Sequence, residues 1–218
     1  MLKDKMILYA GNSHWGEPSE QHIMMEQLSA ENRVIWVNPY GTLGGAIIPR
    51  ITTSKEGLII YNPGVNYLPL QWLSGFNERR RLMQVNLYLI EKDILPDLVW
   101  FDEPLVQVFS DYYRKKGALT LYYAINEKSS PLTAPERDKL ASAVDLIFTT
   151  DQQVYNKYAS HDNVFFLEGE DLLPLPEEES DPQIDIELME NEYMEALNKR
   201  LAEICRIIEA KLDNQSSA

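Results

Sequence analysis

The residues of this chain best suited to proton transfer and polar recognition gather at three places. The first is Gly11-Asn12-Ser13-His14-Trp15-Gly16-Glu17, with Glu20 and His22 close behind. The second is Asp102-Glu103, directly after an apolar run, and the third is Asn126-Glu127, after another. A histidine or carboxylate whose pKa sits near neutral can take a proton from a hydroxyl, and His14 is the best placed for that work. The alternative is a surface histidine, or one bonded to its own loop. Glu127 reads equally as a helix cap or a solvated acid. Glu17, Glu20 and His22 read as ligands for a polar molecule or as cap and surface residues.

The elements that position these groups follow from apolar patterning. Ile7-Leu8-Tyr9 is a short apolar run before a glycine, which predicts a parallel strand buried on both faces. Ser19 then caps a helix carrying Ile23, Met24 and Leu28. Five further strands are expected at Arg33–Val37, Leu58–Tyr61, Leu98–Phe101, Leu119–Tyr123 and Asp145–Phe148, and a last one at Asn163–Leu167. Tyr40 to Gly57 reads as a long glycine-rich loop with an irregular extended piece around Ile47 to Thr53. Helices are expected from Asn77 to Asp93, from Pro104 to Lys116, over Pro135–Ala143 and over Asp151–Ala159. This alternation predicts an α/β fold with a doubly wound, mostly parallel, seven-stranded sheet. Ligands of such sheets bind beyond the carboxyl ends of the strands, where all three clusters fall.

After Gly169 the composition changes. Residues 172–184 form an acidic, proline-rich linker between a domain at 1–171 and a C-terminal helix and tail at 185–218. The helix, expected over Asp185–Leu212, carries Ile186, Met189, Tyr193, Leu197, Leu201, Ile204, Ile208 and Leu212 as one stripe. A lone amphipathic helix cannot bury such a stripe, so it folds back on the sheet or pairs with another chain. Its length of about 40 Å favours leaving part of it for self-association.

Charge and composition exclude several functions. The net charge is −14, but 12 of the 34 acids lie between Glu168 and Glu195, where there is no Lys or Arg. The remaining 22 acids and 20 bases nearly cancel, so nothing suggests nucleic-acid binding. One cysteine, Cys205, and three histidines point away from a disulfide framework and from a metal. Gly11 to Gly16 does not fit the dinucleotide fingerprint, and no Gly-Lys-Ser/Thr occurs. Without an apolar membrane span or a leader pattern, a cytoplasmic location is expected.

Four motifs in order resemble the N-terminal, acceptor-side half of a GT-B glycosyltransferase of the bacterial exopolysaccharide type. They are the loop from Gly11 to Gly16 with Trp15, Val37-Asn38-Pro39, the strand Ala143-Val-Asp-Leu-Ile-Phe-Thr-Thr150, and Gly169 with Asp171 at the linker. The resemblance covers Met6 to Asp171 and implies a Rossmann-like sheet in the order 3-2-1-4-5-6-7. It implies His14, Asp102 and Glu127 as catalytic candidates, and Asn12, Ser13, Trp15, Glu17, His22, Glu103 and Asn126 as acceptor-binding residues.

The donor-binding half of that family has no counterpart here. No cofactor is therefore expected in this chain, and a nucleotide-sugar would come only through a partner protein carrying the donor domain. The function implied is an acceptor-binding glycosyltransferase-like domain in polysaccharide or glycoconjugate synthesis. The alternative is a catalytically inactive relative that serves in binding or scaffolding. Trp72 and Phe76 beside Arg79, Arg80 and Arg81 read either as core packing or as a patch for a lipid-linked acceptor, which would bring the protein to the inner face of the membrane.

Overall fold

The computed structural model describes residues 2–11, 13–39, 49–55, 57–64, 74–103, 107–124, 132–167 and 186–216. The elements run β1 (Met6–Ala10), α1 (Glu20–Leu28), β2 (Arg33–Val37), β3 (Arg50–Lys55), β4 (Leu58–Asn62), α2 (Ser74–Glu91) and β5 (Leu98–Phe101). They continue with α3 (Gln107–Arg114), β6 (Leu119–Tyr123), α4 (Ala134–Ala143), β7 (Leu146–Thr149), α5 (Gln152–Tyr158), β8 (Val164–Phe166) and α6 (Ile186–Ser216).

The strands form one sheet in the order β3-β4-β2-β1-β5-β6-β7-β8. Every pairing is parallel except β3 with β4. The seven expected strands thus hold their expected order, and an eighth adds an antiparallel edge. Strand β3 is the extended piece foreseen before Leu58, displaced toward Lys55. Its Thr52 and Thr53 pair with Ile60 and Ile59 of β4 and face solvent, so hydrophobic patterning carries no signal for it. The turn between the two strands needs Gly57, whose φ is +82° and whose added Cβ would lie 2.3 Å from the Ser29 carbonyl oxygen.

Side chains alternate between the two faces with the strand period of two. Ile7 and Tyr9 of β1, Val34 and Trp36 of β2, Leu98 and Trp100 of β5 and Leu121 and Tyr123 of β6 build one core layer, covered by α1 and α6. Met6 and Leu8, Ile35 and Val37, Val99 and Phe101, and Tyr122 build the other, with α2, α3, α4 and α5 over it.

Helix boundaries depart from expectation in instructive ways. Ser19 caps α1 as expected, its hydroxyl accepting from His22 N. Helix α2 starts at Ser74, not at Asn77, which is buried inside it. Arg79, Arg80 and Arg81 therefore fall in the second turn, where a helix dipole opposes cations less.

Helix α6 extends four residues past its expected end and packs on the sheet of its own chain. Leu197, Leu201, Ile204, Cys205 and Ile208 are buried in the first core layer, with Tyr193 and Leu212 partly buried beside them. That span of the stripe is covered within the chain, so its length no longer argues for a second copy docking there. Leu201→Ala should lower stability by about 2–5 kcal/mol in denaturant unfolding. A loss under about 1 kcal/mol would show that α6 is not held against the sheet.

Candidate functional site

Strand order reverses between β1 and β5: the chain leaves β1 toward β2 on one side and returns to β5 on the other. In open α/β sheets the crevice outside the carboxyl ends at such a switch point is the habitual ligand site. Ala10 pairs with Phe101, so Gly11 and Asp102 emerge level with each other at the floor of this crevice.

The floor is tightly built. Asp102 is fully buried, and its Oδ2 accepts a hydrogen bond from Tyr9 Oη at 2.7 Å. Arg81, 1% exposed, reaches across from α2 to donate to the Gly11 carbonyl oxygen at 3.3 Å. Only glycine fits at position 11: an added Cβ would lie 2.3 Å from Tyr9 Oη and 2.6 Å from Asp102 Oδ1. Burial, reinforced by the Asp102 charge, raises the Tyr9 phenol well above its ordinary range. Tyr9 therefore stays a hydrogen-bond donor at any physiological pH. Glu103, the next residue, is also buried.

Above the floor, one amide relay ties three strand ends together. Asn38 Oδ1 accepts from Trp15 N at 2.7 Å and from Trp36 Nε1 at 2.8 Å, while Asn38 Nδ2 donates to Asn62 Oδ1 at 2.7 Å. The loop after β1 is thereby fixed to the ends of β2 and β4. Trp15 sits edge-on to His22 and to Trp36, with ring centroids 3.9 and 5.2 Å away. The Glu17 carboxylate accepts from His14 N at 2.8 Å, and Glu17 N donates to the His14 carbonyl oxygen at 3.0 Å. Ser13, His14 and Trp15 are half-buried at the crevice rim.

The expected residues accordingly divide. Ser13, His14, Trp15 and Glu17 come together on the loop after β1, with His22 of α1 beside them. Glu17 braces that loop and His22 meets Trp15 edge to face. Asp102 and Glu103 come to the same crevice but lie beneath its surface. Glu20 is engaged in a structural contact: its Oε1 accepts from Tyr123 Oη at 2.7 Å and from Arg200 Nη1 at 2.6 Å, which anchors α6. Asn12, Trp72, Asn126 and Glu127 lie outside the described residues.

Of the arginine patch, Arg79 is exposed and Arg80 lies 5.6 Å from the centroid of the Phe76 ring, whereas Arg81 faces the sheet. It cannot belong to a surface patch, because three consecutive helical residues cannot share one face. The sequence reading missed Tyr9, Asn38 and Asn62. Tyr9 and Asn62 showed only a polar tip on otherwise apolar strands, and Asn38 stood in the Val37-Asn38-Pro39 motif without a role of its own.

Among the described residues, no three His, Cys, Asp or Glu side chains converge as a metal site would require. Among those residues, too, no helix is long and apolar enough to cross a membrane. A depression of about 1100 Å³ lies at the opposite end of the sheet, beside Lys5, Asn32, Arg33, Gly57 and Asp97. The chemistry-bearing loops are not there, so size alone does not mark the site.

No protein-family model and no curated protein matches the chain. Solved structures do match in fold. Sucrose-phosphate synthase from Thermosynechococcus elongatus aligns over 78% of this chain and 49% of its own, at 10% identity and a TM-score of 0.54. A shorter chain of that enzyme aligns over 76% of this chain and 89% of its own, at 10% identity and 0.51. UDP-N-acetylglucosamine 2-epimerase from Rickettsia bellii aligns over 76% and 45%, at 9% identity and 0.51. The chain spans about half the length of the two larger structures. At such identities the match establishes the fold alone: a Rossmann-like α/β unit like one half of a GT-B structure.

Gly11→Ala should cost about 1–3 kcal/mol of stability, measured by denaturant unfolding, because a packed floor must shift to admit a methyl group. Raised phenol pKa values make a second expectation for alkaline solution. Burial and the Glu20 charge raise Tyr123 well above its ordinary range, as with Tyr9, and burial pushes Tyr61 up to about 12. These contributions are complete below the unfolded tyrosine pKa of about 10 and are lost as pH rises toward the folded values. Stability should fall steadily above about pH 10, and Tyr9→Phe should make that fall shallower. Free ionisation of every tyrosine near pH 10 with the fold intact, followed by ultraviolet absorbance, would contradict the burial described.

Proposed function

We propose that this chain is an acceptor-binding, glycosyltransferase-like domain that works with a donor-binding half. The observation that carries the proposal is the crevice at the strand-order reversal, where Asn38 holds the Trp15 backbone and Glu17 holds that of His14 at the rim, over a buried floor. Sugars are bound by aromatic rings together with hydroxyl-directed polar groups, and this rim carries Trp15 beside Ser13 and His14.

In this reading His14 is the general base that takes the proton of the acceptor hydroxyl. Asp102, buried beneath Gly11, is a positioning residue: with Tyr9 and Arg81 it holds the strand end from which the loop departs. Sucrose-phosphate synthase is by its name an enzyme that joins sugars, and its fold is the one shared here. That likeness supports sugars or sugar phosphates as the acceptor class. A nucleotide-sugar would be held by the other half, whether that half belongs to the same polypeptide or to another, and polysaccharide or glycoconjugate synthesis is the setting.

Burial of Asp102 favours a second reading, a sugar-binding relative that does not catalyse transfer. Saturation-transfer NMR against a panel of monosaccharides and sugar phosphates tests the common part. Binding at millimolar or better affinity should vanish in Trp15→Ala while the fold is retained. In the His14→Ala variant, binding that survives with transfer lost, once a donor half is supplied, assigns the base. Binding without transfer in wild type supports the second reading. Tight binding of a nucleotide-sugar by this chain alone, with none of any acceptor, would overturn both.

A further inference from the structure

The amide relay at the rim has a fixed polarity. Both groups that meet Asn38 Oδ1, the Trp15 backbone N–H and the Trp36 indole N–H, can only donate, so they settle which end of the Asn38 amide is oxygen. Its Nδ2 then faces Asn62 and donates, which turns Asn62 Oδ1 inward and leaves Asn62 Nδ2 as a donor on the outer side of the relay. Asn62 is half-buried at the carboxyl end of β4, and among the described residues none accepts from that Nδ2. Gln84 of α2 holds the chain just beyond it, accepting from Gly64 N at 2.8 Å and donating to the Gly64 carbonyl oxygen at 3.4 Å. The donor is thus carried by a strand end that is fixed on both sides.

A cation stands next to this donor. Arg50 opens β3 directly opposite Asn62, and residues paired in this way across antiparallel strands extend their side chains from the same face of the sheet. That face is the one of Trp36, Leu58 and Ile60, on which Trp15 also packs. Arg50 is exposed, and among the described residues no acid is paired with it. The only other charges between Val34 and Asn77 are Lys55, which pairs with Leu58 at the far end of β4, and Glu56 after it. Two acids at the start of α1, over the same face, are engaged elsewhere: Glu17 with His14 N, and Glu20 with Tyr123 and Arg200.

We infer that Arg50 and Asn62 Nδ2 form an anion subsite that takes a charged oxygen group, phosphate or carboxylate, of a sugar bound against Trp15. A guanidinium beside an amide N–H suits such a group, whose oxygens accept several hydrogen bonds and carry the opposite charge. Trp15, Asn38, Asn62 and Arg50 follow one another along the carboxyl ends of β2, β4 and β3, a span of two strand spacings or about 10 Å. A hexose resting against Trp15 reaches that far with a phosphate on its terminal carbon. The inference rests on the sugar-binding reading of the crevice and narrows the acceptor to anionic sugars.

Chemical-shift titration of the isotope-labelled full chain at low ionic strength, with neutral hexoses, hexose phosphates, hexuronates and inorganic phosphate, tests it. The anionic sugars should bind about tenfold or more tightly than the neutral ones, and the tighter of the two anionic classes identifies the group that the subsite takes. Arg50→Gln should remove that advantage and leave the neutral hexoses unchanged. Asn62→Asp keeps an acceptor for Asn38 Nδ2, so the relay and the melting temperature hold, but it sets a carboxylate where the donor was. It should weaken the anionic sugars about tenfold or more and the neutral ones little, a split that a merely structural role would not produce. Trp15→Ala should weaken every sugar. Equal affinity of the wild type for charged and neutral hexoses overturns the inference while the sugar-binding reading stands, and so does an advantage that survives both Arg50→Gln and Asn62→Asp. Inorganic phosphate bound by the wild type and lost in Arg50→Gln, with no sugar bound, keeps the anion subsite and overturns the sugar-binding reading. No response to any of these ligands overturns both.

Discussion

The central strands of this protein have no solvent side, and most of its architecture follows from that one constraint. Tyr9, Trp36, Trp100 and Tyr123 fill one face of the sheet while Leu8, Val37, Phe101 and Tyr122 fill the other. Each face must be covered or the strands cannot form, because large apolar areas would stay in water. Helices α2 to α5 cover one face. On the other, α1 is only nine residues long, and the rest of the cover comes from α6. The C-terminal helix is thus part of the core, although it lies far along the chain from the strands it protects.

Burial alone would let α6 slide along an apolar surface, and polar contacts fix its position. Arg200 meets Glu20 from α1, which also takes the Tyr123 hydroxyl, so one carboxylate joins α1, β6 and α6. Gln27 and Asn198 add a second link at 2.8 Å. Buried ion pairs return little net stability but are costly to break one partner at a time, which favours one register over neighbouring ones. Tyr9 and Asp102 do the same for the floor of the crevice, with Arg81 closing it from the opposite layer.

This division of labour bears on function. A rigid floor with no accessible surface supports a rim that is half exposed, and loops held at both ends recognise ligands with less entropic loss than free ones. The relay from Trp15 through Asn38 to Asn62 gives the rim that second point of attachment. Glu20 and Asp102, which the sequence offers for polar recognition and for catalysis, both take part in holding elements in place.

What the amino-acid sequence determined by itself was the set of buried strands and their helical alternation. Those strands are buried on both faces, so they appear as unbroken apolar runs such as Arg33-Val-Ile-Trp-Val37 and Leu98-Val-Trp-Phe101, and their order followed from family resemblance. Local chemistry was legible as well: Ser19 caps its helix through a side-chain oxygen that needs only a partner three residues away. The edge strand β3 was only glimpsed as an irregular extended piece, because its threonines face water and its pairing partner supplies the order.

The roles of Glu20, Arg81, Asp102 and Arg200 were decided only by tertiary structure. A charged side chain carries no mark in the sequence of whether it meets solvent or another charge. The partners that decide it lie up to 180 residues apart, as Arg200 and Glu20 do. Only the folded sheet brings them within hydrogen-bonding distance.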